Sequence, residues 1–216
     1  MNKGIAIIAV LLGVTTCVAS DSFSLSYASK SILSAYVPSQ QPVIQAQLTH
    51  NFSQGSMSLW TDSTIGKSVR EVDLISNYSL TQNISCKAIG MHFSGTTLAG
   101  EFALQAQKSF KTPLGVIDAN VYVAGVLPRK GGVICKATLS HTTTIGTDLL
   151  TLSSTLTAHR QYFSEFSGLA AVNLSATYTH AFTPNFSGSV SVLKQFALSK
   201  QFQNPVCYSF NMQKTW

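Results

Sequence analysis

From Phe23 to Trp216 the chain repeats one device: apolar and polar residues alternate with a period of two. Successive side chains of an extended strand point to opposite faces, so each run is a ribbon with one apolar and one polar side. Phe23, Leu25 and Tyr27 stand against Ser24, Ser26 and Ala28, and Ile44, Ala46 and Leu48 against Gln45, Gln47 and Thr49. Met57 and Leu59 oppose Ser56, Ser58 and Trp60, and Val72, Leu74 and Tyr78 oppose Glu71, Asp73 and Asn77. Residues 84–93 read as a strand whose two faces the pattern does not distinguish. Phe102 and Leu104 then oppose Glu101, Gln105 and Gln107, and Ile117, Val121 and Val123 oppose Asp118, Asn120 and Tyr122. Later runs set Cys135, Ala137 and Leu139 against Lys136, Thr138 and Ser140, and Leu152 and Leu156 against Ser153, Thr155 and Thr157. Val172, Leu174 and Tyr178 alternate with Asn173, Ser175 and Thr177, and Val190 and Val192 with Ser189 and Ser191. The closing run alternates Val206, Tyr208, Phe210, Met212 and Trp216 with Cys207, Ser209, Asn211, Gln213 and Thr215. About twelve strands are predicted, most near the nine to eleven residues a tilted strand needs to cross hydrocarbon.

Alternation alone also fits a soluble β-sandwich. The chemistry of the polar face separates the two. A sandwich turns that face to water and studs it with Lys and Glu, whereas here Ser, Thr, Asn and Gln fill it, and charged residues make up only 10% of the chain. The fold class expected is therefore all-β, an antiparallel transmembrane β-barrel. Its connectors support this. Short turns such as "SQG", "TIGT" and "TPN" alternate with a second set that includes "SKSILSAYVPSQQP", "LPRKGG" and "RQYFSEFSG". Short periplasmic turns and longer outer loops are the arrangement of outer-membrane barrels. Phe52, Tyr78, Phe182, Phe186 and Trp216 then fall near one rim as an interfacial girdle.

Residues 1–20 read as a secretory signal: Lys3, the apolar run "GIAIIAVLLGV", then small residues to Ser20. That run is shorter than a spanning helix requires. The expected domains are thus a signal peptide, 1–20, and a barrel, 21–216, placed in the bacterial outer membrane. Cys86, Cys135 and Cys207 form an odd set, which no complete disulfide framework accommodates. No cofactor and no metal site is expected.

The segment Phe23 to Leu80 resembles the opening of the TorF-like family of porins. Members show a Ser-x-Tyr strand, a loop ending in Pro-x-x-Gln, a Trp-x-Ser-like strand end, and Glu-x-Asp-Leu leading to Tyr-Ser. This chain supplies Tyr27, Pro42 with Gln45, Trp60 with Ser63, Glu71 with Asp73 and Leu74, and Tyr78 with Ser79. It departs from the family where "SILSAY" stands in place of a common Arg-Gly pair. The resemblance implies an outer-membrane barrel with pore function. Tyr208, Phe210, Met212 and Trp216 are also similar to the terminal signal by which barrels are recognised by the insertion machinery.

A twelve-stranded barrel is intermediate between one filled by side chains and one that encloses a channel. The inward list is small and polar, and leaving such groups buried and unpaired costs about 1–3 kcal/mol each, so water is the expected filler. The predicted function is a porin-like channel for passive diffusion of small polar solutes. Trp60, Glu71, Asp73, Glu101, Asp118, Tyr122 and Lys136 are the candidate pore-lining residues. Lys67, Arg70, Arg129, Lys130 and Arg160 form a candidate basic outer rim, suited to lipopolysaccharide phosphates in the surrounding outer-membrane lipid. No compact basic patch interleaved with aromatics suggests nucleic acid. Two other readings stand beside the channel: a closed structural or adhesive barrel, and a lipid-modifying barrel enzyme. For the enzyme, none of the five histidines has a recognisable nucleophile context, so no catalytic residue is assigned.

Overall fold

The computed structural model describes residues 21–33, 35–65, 69–93, 99–127, 132–162 and 165–216. The expected signal segment, and Lys67, Arg129 and Lys130 of the expected rim, lie outside the described residues. The strands are β1 (Ser22–Ala28), β2 (Ser31–Leu33), β3 (Tyr36–Ser39), β4 (Val43–Phe52), β5 (Gly55–Thr64), β6 (Val69–Ser79) and β7 (Ile84–Phe93). They continue as β8 (Ala99–Thr112), β9 (Gly115–Leu127), β10 (Val133–Ile145), β11 (Asp148–Arg160), β12 (Ser167–Thr183), β13 (Phe186–Ala197) and β14 (Val206–Thr215). Among the described residues, all but β2 and β3 join one closed antiparallel barrel of twelve strands, β1-β14-β13-β12-β11-β10-β9-β8-β7-β6-β5-β4. Closure pairs the first strand with the last, Ser22 opposite Thr215, Leu25 opposite Met212 and Ala28 opposite Ser209. The Trp216 amide donates to the Asp21 carbonyl at 2.9 Å, which ties the seam to its end. A closed ring leaves no strand edge unpaired, the condition hydrocarbon imposes on a sheet.

The outer wall carries the apolar parity. Leu74, Phe102, Leu104, Val121, Leu139, Leu152, Leu174, Val190, Tyr208 and Phe210 are all exposed on it. Isolated exposed leucines are ordinary in a soluble protein, but a continuous apolar belt is not, and it marks a surface made for an apolar solvent. The lumenal parity pairs hydroxyls across strands: Thr49 with Ser58 at 2.9 Å, Thr138 with Thr155 at 2.9 Å, Thr142 with Thr151 at 3.0 Å and Ser191 with Ser209 at 2.6 Å. Many small polar side chains of the wall thus satisfy one another as well as water.

Turns at one end are tight. Two residues separate β4 from β5, β8 from β9, β10 from β11 and β12 from β13. At the β8–β9 turn Gly115 has φ of +135°, and a Cβ there would sit 2.1 Å from the Thr142 carbonyl oxygen. Only glycine fits. The same end carries exposed Phe52, Tyr78, Phe182 and Trp216, with Phe182 stacked on Phe186 at 5.3 Å. The wall is taller than the sequence suggests, because β8 to β11 have thirteen or fourteen residues and β12 has seventeen.

One feature departs from the sequence expectation. The loop between β1 and β4 does not stand out in solvent; its hairpin β2–β3 crosses the barrel. At one end the Ser31 hydroxyl meets Asp62 of β5 and Arg70 of β6. At the other, the Ala35 carbonyl accepts from Gln195 Nε2 of β13 at 2.8 Å, and Ala35 is buried with Ala170 and Ala171 of β12. Strands β6 and β12 lie six places apart in the ring of twelve, so the hairpin spans a diameter. The expectation that water fills the whole lumen is corrected for this end. Apolar loop residues fill it, because Ala35 and Tyr36 have nowhere drier to go.

Candidate functional site

The lumen divides into two zones. Beneath the hairpin, a cavity of about 340 Å³ is lined by Glu71 and Asp73 of β6, Lys87, Ile89 and Met91 of β7, Glu101 and Gln105 of β8, and Asn120 and Tyr122 of β9, with Lys136 and Thr138 of β10 and Tyr162 from the β11–β12 loop. A second space of about 410 Å³ includes Gln107, Asp118, Asn120, Thr138 and Ser140 in its lining. The two share Asn120 and Thr138, so they abut.

Period-two geometry explains why these groups converge. Asp73 lies opposite Met91, Glu101 opposite Ile89, Gln105 opposite Tyr122, and Tyr122 opposite Lys136. Directly paired residues in an antiparallel ladder share a face, which carries the inward parity from strand to strand around the ring. Both oxygens of Glu101 are held, one by the Tyr122 hydroxyl and the other by the Tyr162 hydroxyl. The Lys136 ammonium sits 5.4 Å from the centroid of the Tyr122 ring, a cation–π arrangement. Asp62 is fully buried and ion-paired with Arg70, and Ser31 of the hairpin bonds to both. The zone as a whole brings together four acidic side chains, Asp62, Glu71, Asp73 and Glu101, and three basic ones, Arg70, Lys87 and Lys136.

Above this zone lies an aromatic plug. Tyr36 stacks on His159 at 5.4 Å and meets Phe202 edge-on at 5.1 Å, while Phe166 meets Phe202 at 5.0 Å. The Tyr36 hydroxyl donates to the Tyr162 carbonyl at 3.1 Å. Tyr162 therefore belongs to both the plug and the charged cavity.

Five of the seven predicted lining residues, Glu71, Asp73, Glu101, Tyr122 and Lys136, line the charged cavity. Asp118 lines the second space, where it accepts from the Ser109 hydroxyl at 2.5 Å. Trp60 is half-buried and lies opposite Asp73. Of the predicted rim, Arg160 is exposed at the end of β11. Arg70 is instead turned onto Asp62 by the register shift between Asp62 and Ser63, and is engaged within the protein. Sequence reasoning missed Asp62, Lys87, Tyr36 and Tyr162. Asp62 was available, two residues beyond Trp60 on the same parity.

Cys86, Cys135 and Cys207 are unbridged.

No family model matches the sequence, and no curated protein matches it. Solved structures do. The KdgM porin superposes with a TM-score of 0.59 at 11% identity, over 90% of this chain and 99% of that one. A second structure, the KdgM porin in complex with disordered oligogalacturonate, gives 0.58 at 10% identity, over 91% and 99%. This chain shares their barrel fold. The NanC porin matches with 0.56 at 12% identity, over 92% and 99%. The β domain of the Bordetella autotransporter BrkA matches too, with 0.52 at 11% identity, over 92% and 100%. The same architecture thus serves porins and an autotransporter domain, and activity has to be argued from the lumen.

Proposed function

We propose that this chain is an outer-membrane channel for passive diffusion of small hydrophilic solutes. The observation that carries the reading is the contrast between a belt of exposed leucines, valines and aromatics outside and two adjoining polar spaces inside, one of them ringed by charge. Charged side chains facing one another across a narrow passage set an ion preference. The excess carboxylate disfavours a polyanion, so the oligogalacturonate bound by one structural neighbour is not the solute proposed here. The reading assigns no catalytic step. It places the chain in the bacterial outer membrane, next to the TorF-like porins its first strands resemble, with lipopolysaccharide around exposed Arg160. Tyr208, Phe210 and Met212 on β14, followed by Trp216, fit recognition by the insertion machinery.

Liposome swelling tests this directly. Vesicles holding the refolded barrel swell in isotonic glycine or arabinose and much less in a trisaccharide. A second reading is favoured by the hairpin that crosses the lumen: a closed barrel with a structural or adhesive role. That reading predicts no swelling of the intact chain with any solute, and swelling only of a variant in which residues 31–39 are replaced by a Gly-Ser linker.

A further inference from the structure

We propose that the charged cavity is a binding site for small zwitterions, solutes such as free amino acids or dipeptides that carry both an ammonium and a carboxylate. The proposal deepens the channel reading, on which it rests for the solute's route but not for its binding.

Asp73 is 8% exposed and lines the cavity; its carboxylate hydrogen-bonds to the neighbouring Glu71 carboxyl, and its Oδ1 has no other donor among the described residues. A buried carboxylate oxygen without a donor costs free energy that a ligand donor recovers. Glu71, 5% exposed, lines the cavity two residues away on the same face. Glu101 cannot play the same part, since Tyr122 and Tyr162 already occupy its oxygens. The acceptor left for a ligand is therefore the Asp73 carboxylate on β6. An ammonium fits it, being a compact charge with three donors. A metal ion does not, because no three Asp, Glu, His or Cys side chains among the described residues are grouped to hold one.

The cavity also holds the complementary charge. Lys87 and Lys136 line it, and neither forms an ion pair with a carboxylate among the described residues. Lys136 lies on β10, four strands round the ring from the β6 carboxylates. A solute with charge at one end only would satisfy one wall and leave the other facing it unpaired. A zwitterion satisfies both. The volume, about 340 Å³, is at the small end of ligand pockets and suits a molecule the size of a dipeptide or less.

The test is equilibrium binding to the full chain refolded in detergent, with heat-modifiable mobility as the check of folding. Three probes separate the charges: glycylglycine carries both, glycinamide only the ammonium, and N-acetylglycine only the carboxylate. Saturable binding of glycylglycine is expected, with N-acetylglycine at least about tenfold weaker, since it lacks the charge-assisted donor. Asp73→Asn weakens both glycylglycine and glycinamide about tenfold, whereas Lys136→Met weakens glycylglycine and leaves glycinamide unchanged. Absence of saturable glycylglycine binding, or wild-type affinity in Asp73→Asn, overturns the proposal; should that variant not fold, an unaltered glycylglycine affinity in Lys136→Met does the same. Binding without ion conductance would remove the channel and keep the site, and conductance without binding would remove the site and keep the channel.

Discussion

The Tyr162 hydroxyl donates to Oε2 of Glu101, a residue 61 positions earlier in the chain and on the other side of three strands, β9, β10 and β11. A loop is thereby fastened to the wall of the barrel at the point where the aromatic plug gives way to charge. The Tyr122 hydroxyl holds the other oxygen of the same carboxylate, so Glu101 serves as the anchor for both.

Hydrogen bonds to a charged group contribute about 1.5–3 kcal/mol, so this fastening restrains the loop alongside its ring contacts. Tyr162→Phe removes the donor while keeping the ring. In planar bilayers it raises the frequency of transitions between current levels, and the folded barrel's mobility on electrophoresis is unchanged.

The hairpin β2–β3 spans the lumen between Arg70 and Ala170. Replacing residues 31–39 with a Gly-Ser linker takes Ser31, Ala35 and Tyr36 out of the passage. Single-channel conductance increases severalfold, and the size limit in swelling assays moves upward. Tyr36→Ala alone, which removes the ring stacked on His159, produces a smaller increase in the same direction.

Ion preference follows the inward charges. With Asp62 and Arg70 paired to each other, the lumenal carboxylates Asp73, Glu101 and Asp118 against Lys87 and Lys136 predict modest cation selectivity, read as a reversal potential in a potassium chloride gradient. Asp73→Asn lowers the cation-to-anion permeability ratio and Lys87→Met raises it. Each change in the ratio is roughly tenfold, because a unit charge some 6 Å away in water shifts cation and anion by about 0.7 kcal/mol in opposite directions.

The tight turns set stability. Gly115→Val meets the Thr142 carbonyl and a positive φ together, so it destabilises the barrel by more than about 1 kcal/mol. Gly146→Ala, with φ of +65° and no atom within 4 Å of the new Cβ, costs only the conformational term of about 1 kcal/mol. Urea titration of the refolded barrel in lipid orders the variants wild type, Gly146→Ala, Gly115→Val.

The wall was legible in the sequence because a period of two needs no tertiary information. Asp73, Tyr122 and Lys136 each stand between apolar neighbours, Glu71 and Glu101 are each followed by one, and parity alone turned all five inward. Lys87 was not legible, since β7 places Ile89 and Met91 on the lumenal face and Ile84 on the other, and hydrophobicity then carries no direction. The plug was invisible for a different reason. Tyr36, Tyr162 and Phe202 come from loops with no periodicity, and their positions depend on contacts between distant segments. Composition did hold a hint: a loop containing Ile32, Ala35, Tyr36 and Val37 is too apolar to be displayed to water.

Ionic current through the purified barrel tests the central claim most directly. Recorded in a planar bilayer from heat-modifiable protein, the account predicts discrete, ohmic steps that carry cations in preference to anions and grow when residues 31–39 are replaced. A silent bilayer from the intact barrel, with folding verified, would contradict it, whatever the shortened barrel conducts.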